Sequence, residues 1–143
     1  MTLNPPGSRD EIDALQTLGR ACKTAPVAKS ILIVDDHPSF VAVARVLLET
    51  EGFDVVGVAR DGESAVRESV RVAPQFVLLD VSLPDMDGFE VAARLRAAGV
   101  SSTIVFTSSR DPSEFGSLVT DSGGSGFIAK DELSGDALRA FAA

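Results

Sequence analysis

Cysteine is almost absent. Cys22 stands alone, so no internal disulfide can form and no cluster of thiolates is available to hold a metal. Long apolar runs are missing as well. Runs such as those at residues 31–34 and 76–79 fall far short of a bilayer span, and no basic stretch followed by an apolar one opens the chain. Positive charge is scarce: 13 Lys and Arg face 21 Asp and Glu, for a net charge of −8 and an isoelectric point near 4.5. A chain of that sign repels a polyanion, so unassisted nucleic-acid binding is not expected. Divalent cations and basic protein surfaces are the more natural partners. What is present suits a soluble, folded, cytoplasmic protein without a membrane segment. The 143 residues are 45% hydrophobic and 24% charged, enough for one compact domain with at most a short appendage.

The appendage is residues 1–29, which differ from the rest in balance. They carry Arg9, Arg20, Lys23 and Lys29 against Asp10, Glu11 and Asp13, whereas the remainder holds 9 basic and 18 acidic residues. Ser8 and Glu11 have the spacing of a capping box, and Ile12, Leu15, Leu18 and Cys22 recur at roughly helical intervals. Two readings stay open. One is a frayed tail, since Gly19 weakens so short a helix. The other is an amphipathic helix that docks on the domain or pairs with a second copy as a homodimer.

From residue 30 to 143, apolar β-rich runs alternate with amphipathic stretches. Residues 31–34, 53–59, 76–79, 103–106 and 126–129 read as strands. Residues 38–50, 62–72, 88–98, 112–121 and 134–142 read as helices, with Pro38 and Pro112 suited to first helical turns. Runs such as Ile-Leu-Ile-Val are apolar on both faces, as a parallel sheet covered on both sides requires. The expected fold is therefore α/β, a doubly wound five-stranded parallel sheet.

Ligands of such a sheet bind beyond the carboxyl ends of its strands. The residues after each apolar run are polar here: Asp35 and Asp36 after the first, Asp80 after the third, Thr107 and Ser108 after the fourth, Lys130 after the fifth. Any one Asp in such a place is most often a helix cap or a turn residue, and Asp85 and Asp87 are expected to serve the turn before Gly88. The joint pattern is what points to chemistry. Three carboxylates brought together need either a shared proton or a hard cation, and Mg2+ favours such oxygen ligands. A hydroxyl and an ammonium at the same rim can bind the remaining oxygens of a phosphoryl group. Asp80, with carboxylate aimed at phosphorus, would then form an aspartyl phosphate.

With these residues in place, the sequence resembles the receiver domains of bacterial two-component response regulators, the CheY-like family with a flavodoxin-like sheet. The likeness runs through Ile-Leu-Ile-Val-Asp35-Asp36-His37-Pro38, the Asp61-Gly62 turn, the segment from Leu79 to Gly88, Ile104-Val105-Phe106-Thr107-Ser108, and Gly126-Phe127-Ile128-Ala129-Lys130. The Asp-Asp-His-Pro start and the Lys-Asp end look most like the NarL/FixJ group, whose receivers usually precede a helix-turn-helix domain. No such domain follows residue 143 in this sequence, which leaves open a stand-alone receiver or the front of a longer regulator.

The resemblance implies that Asp80 takes a phosphoryl group from a phosphohistidine of a sensor histidine kinase. It implies that Asp35, Asp36, Asp80 and the backbone carbonyl of Ser82 hold Mg2+, and that Thr107 and Lys130 hold phosphoryl oxygens. Phe127 matches the aromatic switch position, which would link the new charge to an output face for a protein target whose identity is unknown. Ser82 and Ser109 are small, so the acyl phosphate is expected to hydrolyse at a moderate rate. Leu83, Ser108, Gly124 and Asp131 depart from commoner family choices without removing any reactive group. His37, the single histidine, is expected to sit exposed at a loop or first helical turn rather than to relay phosphate. Two other readings stand beside this one. A receiver-like module could bind partners without phosphorylation, and a haloacid-dehalogenase-type phosphatase also uses a strand-end Asp with Mg2+. The phosphatase needs an acid two residues after the nucleophile, where this chain has Ser82.

Overall fold

The computed structural model describes residues 28–142. The helix expected around Ile12, Leu15, Leu18 and Cys22 lies outside them. Five strands form one parallel sheet: β1 (Lys29–Val34), β2 (Phe53–Ala59), β3 (Phe76–Asp80), β4 (Thr103–Ser108) and β5 (Gly126–Ala129). Their spatial order is β2-β1-β3-β4-β5, so the chain reverses its winding direction between β1 and β3. That reversal opens a crevice at the carboxyl ends of those two strands.

Side chains alternate along each strand, and the two sets make two cores. Leu32, Val34, Val77, Leu79, Ile104 and Phe106 pack on one face with Ala65 of α2 (Gly62–Val72) and Val91, Ala92 and Leu95 of α3 (Gly88–Ala97). Ile31, Ile33, Phe76, Leu78 and Val105 pack on the other with Ala44 and Leu48 of α1 (Pro38–Thr50) and Leu138 of α5 (Gly135–Arg139). The doubly wound architecture read from the sequence is the one present. Among the described residues no helix is long and apolar enough to cross a membrane.

Three details differ from the sequence reading. β3 and β4 run on to include Asp80, Thr107 and Ser108, because those residues continue the backbone ladder: Asp80 lies opposite Thr107, and the Val81 N–H donates to the Thr107 carbonyl at 3.0 Å. The helix expected over 112–121 is broken into a 3-10 turn (Pro112–Glu114) and a single turn of helix, α4 (Leu118–Asp121). Gly116 lies between them at φ +54°, a left-handed conformation that an α-helix cannot contain. The helix expected over 134–142 is α only to Arg139, and the following N–H groups of Phe141 and Ala142 bond three residues back, which tightens the end into a 3-10 turn.

Candidate functional site

Asp35 and Asp80 are brought together by register. Val34 lies opposite Leu79, so the residues that follow them emerge side by side at the crevice. Asp35 is fully buried and Asp80 nearly so. Neither Asp35 nor Asp36 caps α1: the residue at its N-cap is His37, which makes no side-chain cap bond, and Asp35 Oδ1 instead accepts from the His37 backbone N–H at 2.8 Å. The two carboxylates are therefore free of the commonest structural duty of such residues.

The turn after Asp80 is tight. Gly88 N–H donates to the Val81 carbonyl at 2.7 Å, and a Cβ on Gly88 would collide with the backbone of Asp80, so only glycine lets α3 start this close to the site. Asp87 caps α3 by accepting from the Glu90 N–H at 2.8 Å. Asp85 does not serve this turn alone. It reaches across to α2, accepting from Gly62 N–H at 2.7 Å and Glu63 N–H at 3.1 Å, and those donors hold its carboxyl below the ordinary range. Ser82 stands exposed, with its N–H donating to Asp80 Oδ1 at 3.2 Å.

Lys130 comes in from the end of β5. Its Nζ lies 2.8 Å from Asp35 Oδ2 and 3.4 Å from Asp80 Oδ2, and the Phe40 ring of α1 supports the ammonium at 4.6 Å from its centroid. One ammonium does not neutralise three carboxylates. Burial and the neighbouring Asp35 charge push the Asp80 carboxyl above its ordinary range, against the opposing pull of the Ser82 N–H and of Lys130. The Lys130 contact to Asp35 is an ion pair by distance but lacks hydrogen-bond geometry, so Asp35 Oδ2 is buried without a hydrogen-bond partner. Asp36 Oδ1 and Thr107 Oγ1 are buried in the same unsatisfied way. Orphaned acceptors at one rim are what a hard cation and a phosphoryl group would satisfy.

His37 departs from expectation. Its side chain is 58% exposed, as expected for a first-turn residue, but Nδ1 is turned inward, 2.8 Å from Asp35 Oδ1, 3.2 Å from Asp36 Oδ1 and 3.6 Å from Asp80 Oδ2. One ligand atom from each of Asp35, Asp36, His37 and Asp80 falls within 4.8 Å of the others, so this set could hold a metal ion. A signal for His37 was present in the sequence. A residue before proline is confined to extended backbone, and His37 has φ −98° and ψ 104°, which places its side chain over the crevice.

Phe127 of β5 is half-buried and lies 5.5 Å, centroid to centroid, from Phe115, which in turn is 5.7 Å from Phe89. Phe89 meets Phe106 at 4.7 Å. Phe115 was not singled out from sequence, and its place beside Phe127 depends on the bend at Gly116.

Comparison with known proteins agrees with this geometry. The response regulator receiver domain family matches residues 31–142. BvgA from Bordetella pertussis is 37% identical over 102 residues, 71% of this chain and 49% of BvgA. The DNA-binding transcriptional activator EvgA from Escherichia coli K12 is 32% identical over 101 residues, 71% of this chain and 50% of EvgA. The chain thus spans about half the length of these relatives. Among solved structures, the signal receiver domain of NarL from Mycobacterium tuberculosis superposes with a TM-score of 0.71 at 31% identity, covering 80% of this chain and 94% of that one.

Proposed function

The chain belongs to the response regulator receiver domain family, and on that premise we propose that it is a phosphorylation switch of a cytoplasmic two-component phosphorelay, with Asp80 as acceptor. An Asp80 carboxylate oxygen attacks the phosphorus of a phosphohistidine on a sensor histidine kinase. The new O–P bond forms as the P–N bond breaks, and the imidazole leaves with the electron pair. Asp35, Asp36, Asp80 and the Ser82 carbonyl are the residues that would hold Mg2+, which supplies the charge that lets a phosphoryl group approach this acidic rim. Lys130, with Nζ 3.4 Å from Asp80 Oδ2, would pair with a phosphoryl oxygen. Thr107, opposite Asp80 in the ladder and with a buried hydroxyl that has no partner, would donate to another.

The observation that carries this reading is that set of unsatisfied buried oxygens around Asp80, in a family whose members are signalling receivers. Drawing the Thr107 hydroxyl toward Asp80 would free space beside β4 for Phe127 and so change the face made by α4, β5 and α5. That face is assigned to a protein target, because a net charge of −8 works against direct DNA contact by these residues. Catalysis is confined to the chain's own phosphorylation and dephosphorylation. Intact mass after incubation with acetyl phosphate and Mg2+ tests the proposal. One phosphoryl adduct is expected, lost on adding a chelator and absent in Asp80→Asn. Catalytic turnover of small phosphate esters, or an adduct that survives Asp80→Asn, would overturn it.

A further inference from the structure

α1 is apolar over more of its circumference than the sheet uses. Ala44 and Leu48 are buried in the core, with Phe40 and Val41 half-buried beside them, yet Val43 and Val46 stand 67% and 66% exposed. With Ala42, Leu47 and Thr50 they line a shallow groove of about 580 Å3 on the outer side of the helix. The other long helices differ. The exposed positions of α2 include Glu63, Arg67 and Arg71, and those of α3 include Glu90 and Arg94. On α1, residues 43, 46, 47 and 50 follow the i, i+3, i+4, i+7 spacing of a stripe that receives a second apolar helix face.

Residues 1–27 precede the described ones, and the chain enters the sheet beside one end of this groove. β1 begins at Lys29, which lies opposite Phe53, and Thr50 at the end of α1 is only three residues before Phe53. Because β1 and β2 are parallel, α1 returns toward the start of the sheet, so the groove leads away from that entry point, from Thr50 to Ala42. We propose that residues 8–22 pack on this groove as an amphipathic helix, placing Ile12, Leu15, Leu18 and Cys22 against it. The dimensions match: as a helix, Ile12 to Cys22 spans about 15 Å and Ala42 to Thr50 about 12 Å. Residues 23–28 reach up to about 20 Å when extended, enough to set Cys22 beside Thr50. The charges match as well. α1 closes on Glu49 and Glu51 with no basic residue in its last turn, and the segment closes on Arg20 and Lys23. So short a helix is unstable alone, and the tether supplies the effective concentration that makes docking favourable. The docking is independent of the chemistry assigned to Asp80.

Cys22 is the only cysteine, so its thiol reports on the whole, untagged chain. Docking should slow its reaction with Ellman's reagent. Val46→Asp, at an exposed position of the groove, should speed that reaction roughly fivefold or more by releasing the segment. Val70→Asp should leave the rate unchanged, since Val70 is exposed on α2, which packs on the other face of the sheet. Proximity is read in a second pair of variants. Under mild oxidation, Thr50→Cys should form a disulfide with Cys22 of the same chain, at a rate independent of protein concentration and roughly tenfold or more above that of Val70→Cys. One Cys22 reaction rate in wild type, Val46→Asp and Val70→Asp, with equal disulfide rates from positions 50 and 70, would overturn the proposal and leave the groove to another protein. Disulfides that join two chains, faster as concentration rises, would overturn it in favour of a second copy.

Discussion

The two sides of the sheet are built differently. Around β1, β2 and β3 the helices are long: α1 has 13 residues, α2 11 and α3 10, and each buries side chains against the strands. Around β4 and β5 the cover is thin. α4 has 4 residues and buries none, and α5 has 5 and buries Gly135 and Leu138. The site straddles this divide. Asp35 and Asp36, just beyond β1, and Asp80, the last residue of β3, would carry the charge and stand at the ends of the thickly covered strands. Thr107 of β4, Phe127 of β5 and Lys130 just after β5, which would sense a phosphoryl group, belong to the thinly covered part. A reactive centre needs fixed geometry, and a switch needs an element whose rearrangement costs little, so the uneven cover places each where it is useful.

Removing packing under the well-covered strands should have the largest effect. Leu78 of β3 is fully buried among Ile33, Leu48 and Leu138, and its truncation leaves a cavity that close-packed neighbours cannot fill. Leu78→Ala should cost about 2–5 kcal/mol in a urea unfolding curve. A loss below about 1 kcal/mol would mean that this core collapses freely and that the two sides do not differ in the way described.

A smaller effect, of opposite sign, is expected at the reactive carboxyl. Burial beside Asp35 raises the Asp80 carboxyl above its ordinary range, so the native state holds this proton more tightly than the unfolded chain does. Stability therefore falls as pH rises from the unfolded value through the folded one, and at neutral pH the ionised Asp80 is a standing cost. In chelator, Asp80→Asn should raise the Tm by a few degrees at pH 7, on the order of 1 kcal/mol. The gain should fade as pH drops through the folded Asp80 value and be gone below the unfolded one. A lower Tm at pH 7 would show that the Lys130 pairing outweighs repulsion from Asp35.

Much of this was legible in the sequence, for a physical reason. Strands buried on both faces write themselves as short apolar runs, and the polar residue that ends each run is then conspicuous. Asp35, Asp80, Thr107 and Lys130 were found in that way, along with the parallel sheet that gathers them. What escaped depends on tertiary placement. Residues 112–121 have a proline start and helical composition, but the φ of +54° at Gly116 belongs to a bend whose two flanking turns pack beside β5, and periodicity does not record it. Asp85 looked like a local turn residue because its acceptors' partners, the N–H groups of Gly62 and Glu63, are more than twenty residues away. His37 looked like a surface residue, and by exposure it is one. The direction of its ring is set by Pro38 locally and by the convergence of three carboxylates that only the folded sheet assembles.

The smallest effect tests the thin side of the comparison. Leu118 opens α4 and is 49% exposed, in a helix that buries no side chain at all. Truncating it removes little contact, so Leu118→Ala should change unfolding stability by no more than about 0.5 kcal/mol. The informative measurement is the pair: Leu78→Ala and Leu118→Ala in one denaturation series, both removing the same atoms from the same residue type. If the α4 truncation costs as much as the β3 one, α4 is held as firmly as α1 to α3. The face assigned to signalling would then have no cheap rearrangement to offer, and Phe127 would have to move without it.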